Sequence, residues 1–381
     1  MDPARPYLSC RGEESFQHTI SLAEDSPGRK SKLHLGKLSL ETMASTIWRL
    51  TGAKSHAVIV GPTPGVDVAV LDIGGGRVLI ANSDPVSLIP SVGPEDSARM
   101  SLYEVASDVA TSGRSPRFVM LDLNLPPGMS NQVLSRYWKA INRTCLELGV
   151  SILGGHTGRF EGCNYSIIGG ATMWTTCRRN EFLTSSMARD GDDLIFTRSA
   201  AYGATSVLTR AFPRTVRKHL GRSIFDRAWK YLQGANTVND SLSAVKAGIH
   251  QHGVTAIHDV TEGGSLAAID EMARASKLGG TVDLESIPIS EETELICKLF
   301  RMDSLTSLGE GSLLIACRPN RTRRVIGILQ SIGTKATVIG HLSSGTRGIF
   351  GVSSRGRFRI RYPDRDPYWN AYWRALRKGW S

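Results

Sequence analysis

A chain of 381 residues, 41% hydrophobic and 21% charged, has the length of two ordinary domains and enough apolar material to pack them, which excludes bulk disorder. No run approaches the roughly 20 apolar residues of a membrane span, and the charged start, Met1 to His18, lacks the apolar segment of a secretory signal, so a cytoplasmic protein is expected. The net charge of +11 sits unevenly, with nine Lys/Arg against Asp364 and Asp366 in residues 343–381. The same stretch holds Trp369, Trp373 and Trp380. Basic residues among aromatics fit nucleic acid, or a surface strand ("RFRIRY" alternates) followed by a helix docked through Trp and Tyr. No recognised nucleic-acid module accompanies the charge, so nucleic acid is not the expected partner.

In chain order, residues 1–35 read as a loosely ordered leader without periodicity. Leu40, Met43, Ile47 and Leu50 then share one helical face. "HAVIVG", "VAVLDI" and "RVLIAN" read as strands, and the glycines of "DIGGGRV" as a hairpin turn. A helix follows "PPGMS", with Val133, Leu134, Tyr137, Trp138, Ile141 and Leu148 on one face and Gly149 ending it. "VSILGGHTG" and "YSIIGGATMW" are strands that complete a first domain, 36–178. A second, 179–345, opens with a strand at Leu194–Thr197 and a helix. It continues through a basic amphipathic segment at 214–232 to "AIHDVTEGGS", and then to strand, helix and strand in "GEGSLLIAC", "VIGILQSIG" and "KATVIGHL". Residues 346–381 form a basic aromatic extension. This mixed order predicts α+β. Cys10, Cys145, Cys163, Cys177, Cys297 and Cys317 show no zinc spacing, and reduced structural thiols are expected, with Cys145, Cys297 and Cys317 in the core.

Four polar clusters interrupt the apolar pattern. They are Gly65 to Ala69 around Asp67, with Asp84 in "NSDP" after it; Ser107 to Ala110 around Asp108; Gly154-Gly155-His156-Thr157-Gly158; and His258-Asp259-Val260-Thr261-Glu262-Gly263-Gly264. Magnesium takes hard oxygen ligands, commonly one or two carboxylates together with phosphate oxygens. Glycine lets backbone amides approach phosphate, and a helix N-terminus adds a favourable dipole. Leu266, Ile269 and Met272 place "TEGGS" at such a terminus. Each cluster alone also has a structural reading: Asp67 and Asp84 as turn residues, Thr261 as an N-cap, His258 as a satisfied buried histidine. No G-x-x-x-x-G-K-[ST] is present, which excludes a P-loop.

Taken in order, "GKL", "G-x-D-x-A", "DP", "D-x-A" at Asp108, "GGHT", "HDVTEGG" and "GEGSLL" resemble the superfamily of aminoimidazole ribonucleotide (AIR) synthetase. That superfamily includes the hydrogenase-maturation carbamoyl dehydratase, thiamine-monophosphate kinase and selenophosphate synthetase, and the pattern is most similar to its AIR synthase-related proteins. The resemblance covers about residues 36–345. It implies a two-domain PurM-like (HypE-like) fold with a C-terminal α/β domain, and a homodimer whose N-terminal strands form a shared β-barrel. It also implies ATP and Mg²⁺ as cofactors in a cleft. Asp67, Asp84 and Asp108 are then the metal and phosphate-site carboxylates, and Lys37 is a phosphate contact. Gly154, Gly155, Thr157, Thr261, Glu262, Gly263 and Gly264 line the nucleotide site, and His156, His258 and Asp259 are the catalytic candidates.

The implied chemistry is phosphoryl transfer from ATP to an amide-, carbamoyl- or other oxygen of a small-molecule or protein-bound acceptor, with either histidine moving the proton. Departures from the pattern are Ser107 where relatives carry Asn, Gly158 where they often carry Glu, and Gly203 where "G-x-E-G-T" would place a carboxylate. The absence of cysteine after Cys317 disfavours the self-dehydrating reaction, and Cys10 lacks the surroundings of a selenophosphate-type cysteine. A small-molecule kinase and a nucleotide-binding accessory protein with reduced chemistry stay open.

Overall fold

The computed structural model describes residues 35–363 and 365–381, so the leader lies outside the described residues apart from Leu35. The segment after Gly36 is helical as expected but short and exposed: α1 (Leu40–Thr42) runs on as a π-turn, Met43–Ile47. Then follow β1 (Val58–Val60), β2 (Ala69–Asp72), β3 (Arg77–Ser87), α2 (Pro94–Thr111), β4 (Phe118–Leu125), α3 (Asn131–Leu148), β5 (Ser151–Arg159) and β6 (Ile167–Arg178). These strands form a six-stranded sheet in the order β1-β2-β3-β6-β4-β5. All its pairings are antiparallel except β4 with β5. The three glycines 74–76 all take positive φ in the β2–β3 turn. α3 starts where Ser130 Oγ accepts from Val133 N–H and stops at left-handed Gly149.

The remaining elements are β7 (Asp193–Thr197), α4 (Tyr202–Ala211), α5 (Pro213–Trp229), α6 (Tyr231–Gly234), α7 (Val238–Ala244), β8 (Val254–Asp259), α8 (Gly264–Ala275), β9 (Gly279–Asp283), α9 (Glu291–Phe300), β10 (Leu313–Cys317), α10 (Thr322–Ser331), β11 (Ala336–Ser343), β12 (Ile349–Ser353), β13 (Gly356–Arg359) and α11 (Pro367–Arg377). They build a seven-stranded sheet, β13-β12-β9-β11-β7-β10-β8, antiparallel except for β12 with β9. β12 and β13 fall in the stretch read as an extension, yet they widen this sheet. α11 buries Tyr368, Ala371, Tyr372 and Ala375 against Phe212 and Phe300, with Trp369 and Trp380 packed on the same cluster, so these aromatics serve packing, while Trp373 stays exposed. Among the described residues no helix is long and apolar enough to cross a membrane. Cys145, Cys297 and Cys317 are buried and unpaired, as expected.

α2 joins the two halves: it packs on β3 and α3 and also touches β8 and α7. Its serines explain why it is buried almost all round. Ser101 Oγ accepts from Ser87 N–H at 2.8 Å and Ser97 Oγ from Ile89 N–H at 3.0 Å, which satisfies the chain leaving β3.

β4 and β5 approach closely at Gly155. A Cβ there would lie 1.7 Å from the Leu121 carbonyl oxygen, and φ is +141°. Gly155→Ala should therefore cost about 2 kcal/mol or more by strand displacement, measured as a lower midpoint in urea unfolding.

Candidate active site

The site forms where β8 gives way to α8. β8 is buried along its whole length, and its last two residues, His258 and Asp259, point chemistry toward the first half of the chain. Gly263 (φ +83°) and Gly264 (φ +64°) then turn the chain into α8. Gly264 cannot carry a side chain, because a Cβ would sit 2.6 Å from the Ser307 carbonyl oxygen. The sequence thus places "TEGGS" at the helix start for a steric reason. The amides there are already used: Gly263 N–H donates to Asp366 Oδ2 at 2.9 Å, and Gly264 N–H to the Thr261 carbonyl at 3.1 Å. That differs from the expectation of free amides for phosphate.

Asp67, on the chain entering β2, meets His258. Asp67 Oδ1 is 2.6 Å from His258 Nδ1, while Glu271 Oε2 on α8 is 3.0 Å from Nε2. Burial disfavours charge on this imidazole, but the two carboxylates outweigh it and hold its pKa well above the ordinary histidine value. His258 is therefore a cation clamped between anions, able to donate a proton and poorly placed to accept one. Asp259 Oδ1 lies 4.0 Å from His258 Nδ1. Burial and the Asp67 charge push Asp259 up to about 7.

From the other side come α2 and β3. Asn82 and Asp84, two residues apart on β3, share a face. Asn82 Nδ2 donates to Asp84 Oδ2 at 2.8 Å and also contacts the Asp108 carboxylate on α2. Burial, then the charges of Asp259 and Asp84, raise Asp108 well above the carboxylate range. Lys37 closes the cluster: its backbone N–H donates to Glu262 Oε2 at 2.7 Å and its Nζ to Thr261 Oγ1 at 2.8 Å. Its side chain keeps contact with solvent. Desolvation of the ammonium is overcome by Glu271, Tyr362, Asp259 and Asp108, so its pKa is raised.

The structure thus brings Asp67, Asp84, Asp108, His258, Asp259, Thr261, Glu262 and Lys37 to one place. It does not bring Gly154, Gly155, His156 or Thr157 there within one chain. β5 is three strands from β3, roughly 14 Å at ~4.8 Å per strand. His156 is in register with Asp122, on the sheet face opposite Asp84, and stacks on Phe160 at 6.0 Å. His156 and His258 are therefore not interchangeable candidates for one position.

Sequence reasoning missed several participants. Glu104 lies one helical turn before Asp108, and burial with the charges of Asp84, Asp259 and Glu262 pushes it to about 8. The i, i+4 spacing on α2 was the available signal. Glu310, in "GEGS", is raised well above its usual value by burial and by Glu104 and Glu262. It packs on Gly203, where a Cβ would lie 2.7 Å from its Oε2, so a carboxylate from another segment occupies the space of the missing one. Asn82, Glu271 and Asp366 were likewise unread. The other two departures also have local partners. Ser107 Oγ accepts from Thr237 N–H at 3.2 Å, and the Phe160 ring fills the space beside Gly158.

A divalent cation fits this arrangement. Asp67 Oδ2 and Asp259 Oδ1 are buried without hydrogen-bond partners. Donor atoms of Asp67, His258 and Asp259 lie within 4.8 Å of one another. His258 Nδ1 lies 2.6 Å from Asp67 Oδ1 without a hydrogen bond of good geometry, and a protonated imidazole offers no lone pair, so the donors on offer are the carboxylate oxygens, the set a hard cation takes.

Two mixed sheets that meet around a buried acidic cluster, with α2 between them, define an α+β protein with its site at the junction of its halves. The chain belongs to the AIR synthase related proteins: the family's N-terminal domain matches residues 65–175 and its C-terminal domain residues 190–353. A hydrogenase expression/formation protein of Methanocaldococcus jannaschii is 27% identical over 305 residues, 79% of this chain and 86% of that one. The carbamoyl dehydratase HypE of Rhizobium leguminosarum is 25% identical over 291 residues, 73% and 77% of the two chains. The selenide, water dikinase of Myxococcus xanthus is 24% identical over 342 residues, 82% and 92%. Solved structures share the PurM-like fold. Escherichia coli HypE gives a TM-score of 0.64 at 21% identity, covering 76% of this chain and 87% of that one. HypE in complex with ATP gives 0.59 at 18%, covering 87% and 97%. A ThiL protein complexed with AMPPCP and TMP gives 0.62 at 18%, covering 76% and 88%.

Proposed function

We propose that this chain is an ATP- and Mg²⁺-dependent enzyme that transfers phosphate to an amide-, carbamoyl-type or other oxygen of a small-molecule or protein-bound acceptor. The observation that carries this reading is the convergence of Asp67, Asp84, Asp108 and Asp259, with two orphaned buried oxygens, beside Lys37. Carboxylates packed so tightly that several are forced toward protonation need a cation to exist as anions together. Magnesium held by Asp67, Asp84 and Asp108 would neutralise that charge and the charge of the triphosphate. Lys37 adds a fixed positive charge at the rim, His258 keeps Asp67 oriented, and Asp366 holds the Gly263 turn. Catalysis by positioning and charge neutralisation suffices for phosphoryl transfer. The ATP and AMPPCP complexes of HypE and ThiL support the nucleotide.

The homodimer belongs to the same proposal, with strands of the first sheet completing a barrel across two chains. Exposed Leu71, Met120, Leu153 and Ile167 on that sheet support it. A role for His156 or Thr157 at the site rests on that dimer.

A nucleotide-binding accessory protein with reduced chemistry is the second reading, favoured by the Phe160 ring occupying the space beside Gly158. The test is calorimetric titration with ATP in Mg²⁺ and in EDTA, followed by incubation with γ-labelled ATP and a metabolite extract. Mg²⁺-dependent binding with label transferred to an acceptor is expected. Binding without any turnover selects the accessory reading, and no binding contradicts both.

A further inference from the structure

At the far end of the first sheet, a concavity of about 300 Å³ is lined by Arg77, Arg114, Arg117 and Arg178, with Thr175, Thr176 and one carboxylate, Glu181, among them. Arg77 opens β3 and is the direct cross-strand partner of Arg178 on β6. Arg117 lies on the chain entering β4, its N–H bonded to the Trp174 carbonyl at 3.1 Å. One guanidinium is accounted for: Arg114 Nε donates to the Glu181 carbonyl at 2.6 Å, and its Nη1 is 3.9 Å from the Glu181 carboxylate. The Arg77 guanidinium donates only to the Thr176 hydroxyl, at 2.9 Å. Among the described residues no carboxylate pairs with Arg77, Arg117 or Arg178.

Like charges directly opposite on paired strands are destabilising. The neighbouring Arg179 shows the ordinary solution, an ion pair with Asp72 at 2.6 Å. Glu181 also lines the concavity, but its carboxylate reaches Arg114 at 3.9 Å and the Arg178 backbone N–H at 3.2 Å, which leaves the guanidiniums of Arg77, Arg117 and Arg178 without an ion-pair partner among the described residues. An anion with several oxygens, gripped by forked donors and hydroxyls, offsets that repulsion, and guanidinium geometry matches phosphate.

We propose that this pocket is an anion-binding site for a compact phosphorylated small molecule, separate from the acidic site. Seven residues of β3 separate Arg77 from Asp84, roughly 23 Å at ~3.3 Å per residue. An open concavity of this size fits a phosphate or diphosphate group better than a nucleic-acid strand, which needs an extended basic track.

The experiment is calorimetric titration of the full chain with inorganic pyrophosphate in EDTA, at ionic strength held constant with NaCl. Saturable binding of one pyrophosphate per chain is expected. Arg117→Ala and Arg178→Ala should each weaken it at least tenfold, and Arg117→Lys, which keeps the charge and the fold, by less. Arg179→Ala and Asp108→Asn should leave it unchanged, the latter separating this pocket from the acidic site. Absent saturation, equal loss in Arg179→Ala, or loss in Asp108→Asn would overturn the proposal. So would binding of a single-stranded oligonucleotide that pyrophosphate does not displace, or a pocket variant whose only effect is on oligomeric state.

Discussion

Asp108→Asn should weaken Mg·ATP binding at least about 100-fold while leaving the fold intact. The magnitude follows from losses of 10–100-fold when mere supporting groups of metal sites are removed, an effect a direct ligand should exceed. The fold survives for a reason specific to this site. Burial and the neighbouring Asp259 and Asp84 charges hold Asp108 well above the carboxylate range, so without cation its surroundings favour the neutral acid over the carboxylate. An amide of the same shape then replaces a neutral acid, and its Nδ2 can donate where the acid proton did. The check pairs calorimetry with urea unfolding: lost affinity with unchanged or increased stability is the expected result. Unchanged affinity would remove Asp108 from the site.

The second large effect is on stability against pH. Glu104 has its pKa raised from 4.5 to about 8 by burial and by Asp84, Asp259 and Glu262. Below pH ~4.5 it is protonated in both folded and unfolded chains and contributes no dependence. Between pH ~4.5 and ~8 only the folded state holds the proton, so stability falls as pH rises, by about 1.4 kcal/mol per pH unit for one such group. Above about 8 the penalty is constant. Asp259, at about 7, acts in the same direction over a narrower window. His258 acts in the same direction at higher pH: its raised pKa contributes stability that is fully present below about 6.5 and is lost as pH rises from there through the folded-state value. Glu104→Gln should therefore flatten the decline and raise the unfolding free energy at pH 8 by a few kcal/mol, with little change at pH 4. Chemical denaturation of wild type and variant across pH 4–9 without divalent cation measures it. Parallel curves would show that Glu104 carries no buried charge.

Much of the architecture was legible where hydrophobic periodicity and glycine punctuation coincide. The β2–β3 hairpin, α3 with its Gly149 stop, and the passage from β8 into α8 all carry such marks. α2 was not read as a helix because it is buried nearly all round and built on Ser and Ala, so no polar face betrays its period. β4 carried a readable signal that went unused: Val119, Leu121, Leu123 and Leu125 are buried while Met120 and Asp122 are exposed. Within the site, the Asp residues beside glycines were readable. Glu271 was not, because it sits mid-helix in α8 and only tertiary packing brings it to His258; Glu104 offered only its i, i+4 spacing to Asp108, and the "GEGSLL" around Glu310 does not say that the carboxylate faces the cluster. The same limit explains the tail. Its alternating charges belong to β13 and its aromatics to α11, whose leading Asp366 reaches back to Gly263, a link no spacing in the chain encodes.

The most direct test of the acidic site is diffraction from crystals grown with Mn²⁺ and a non-hydrolysable ATP analogue, using the anomalous signal of manganese to place the ion. An anomalous peak bonded to oxygens of Asp67, Asp84 and Asp108 is expected, with phosphate density toward Lys37. A manganese peak elsewhere, or a nucleotide bound with Asp67, Asp108 and Asp259 left uncoordinated, would contradict it.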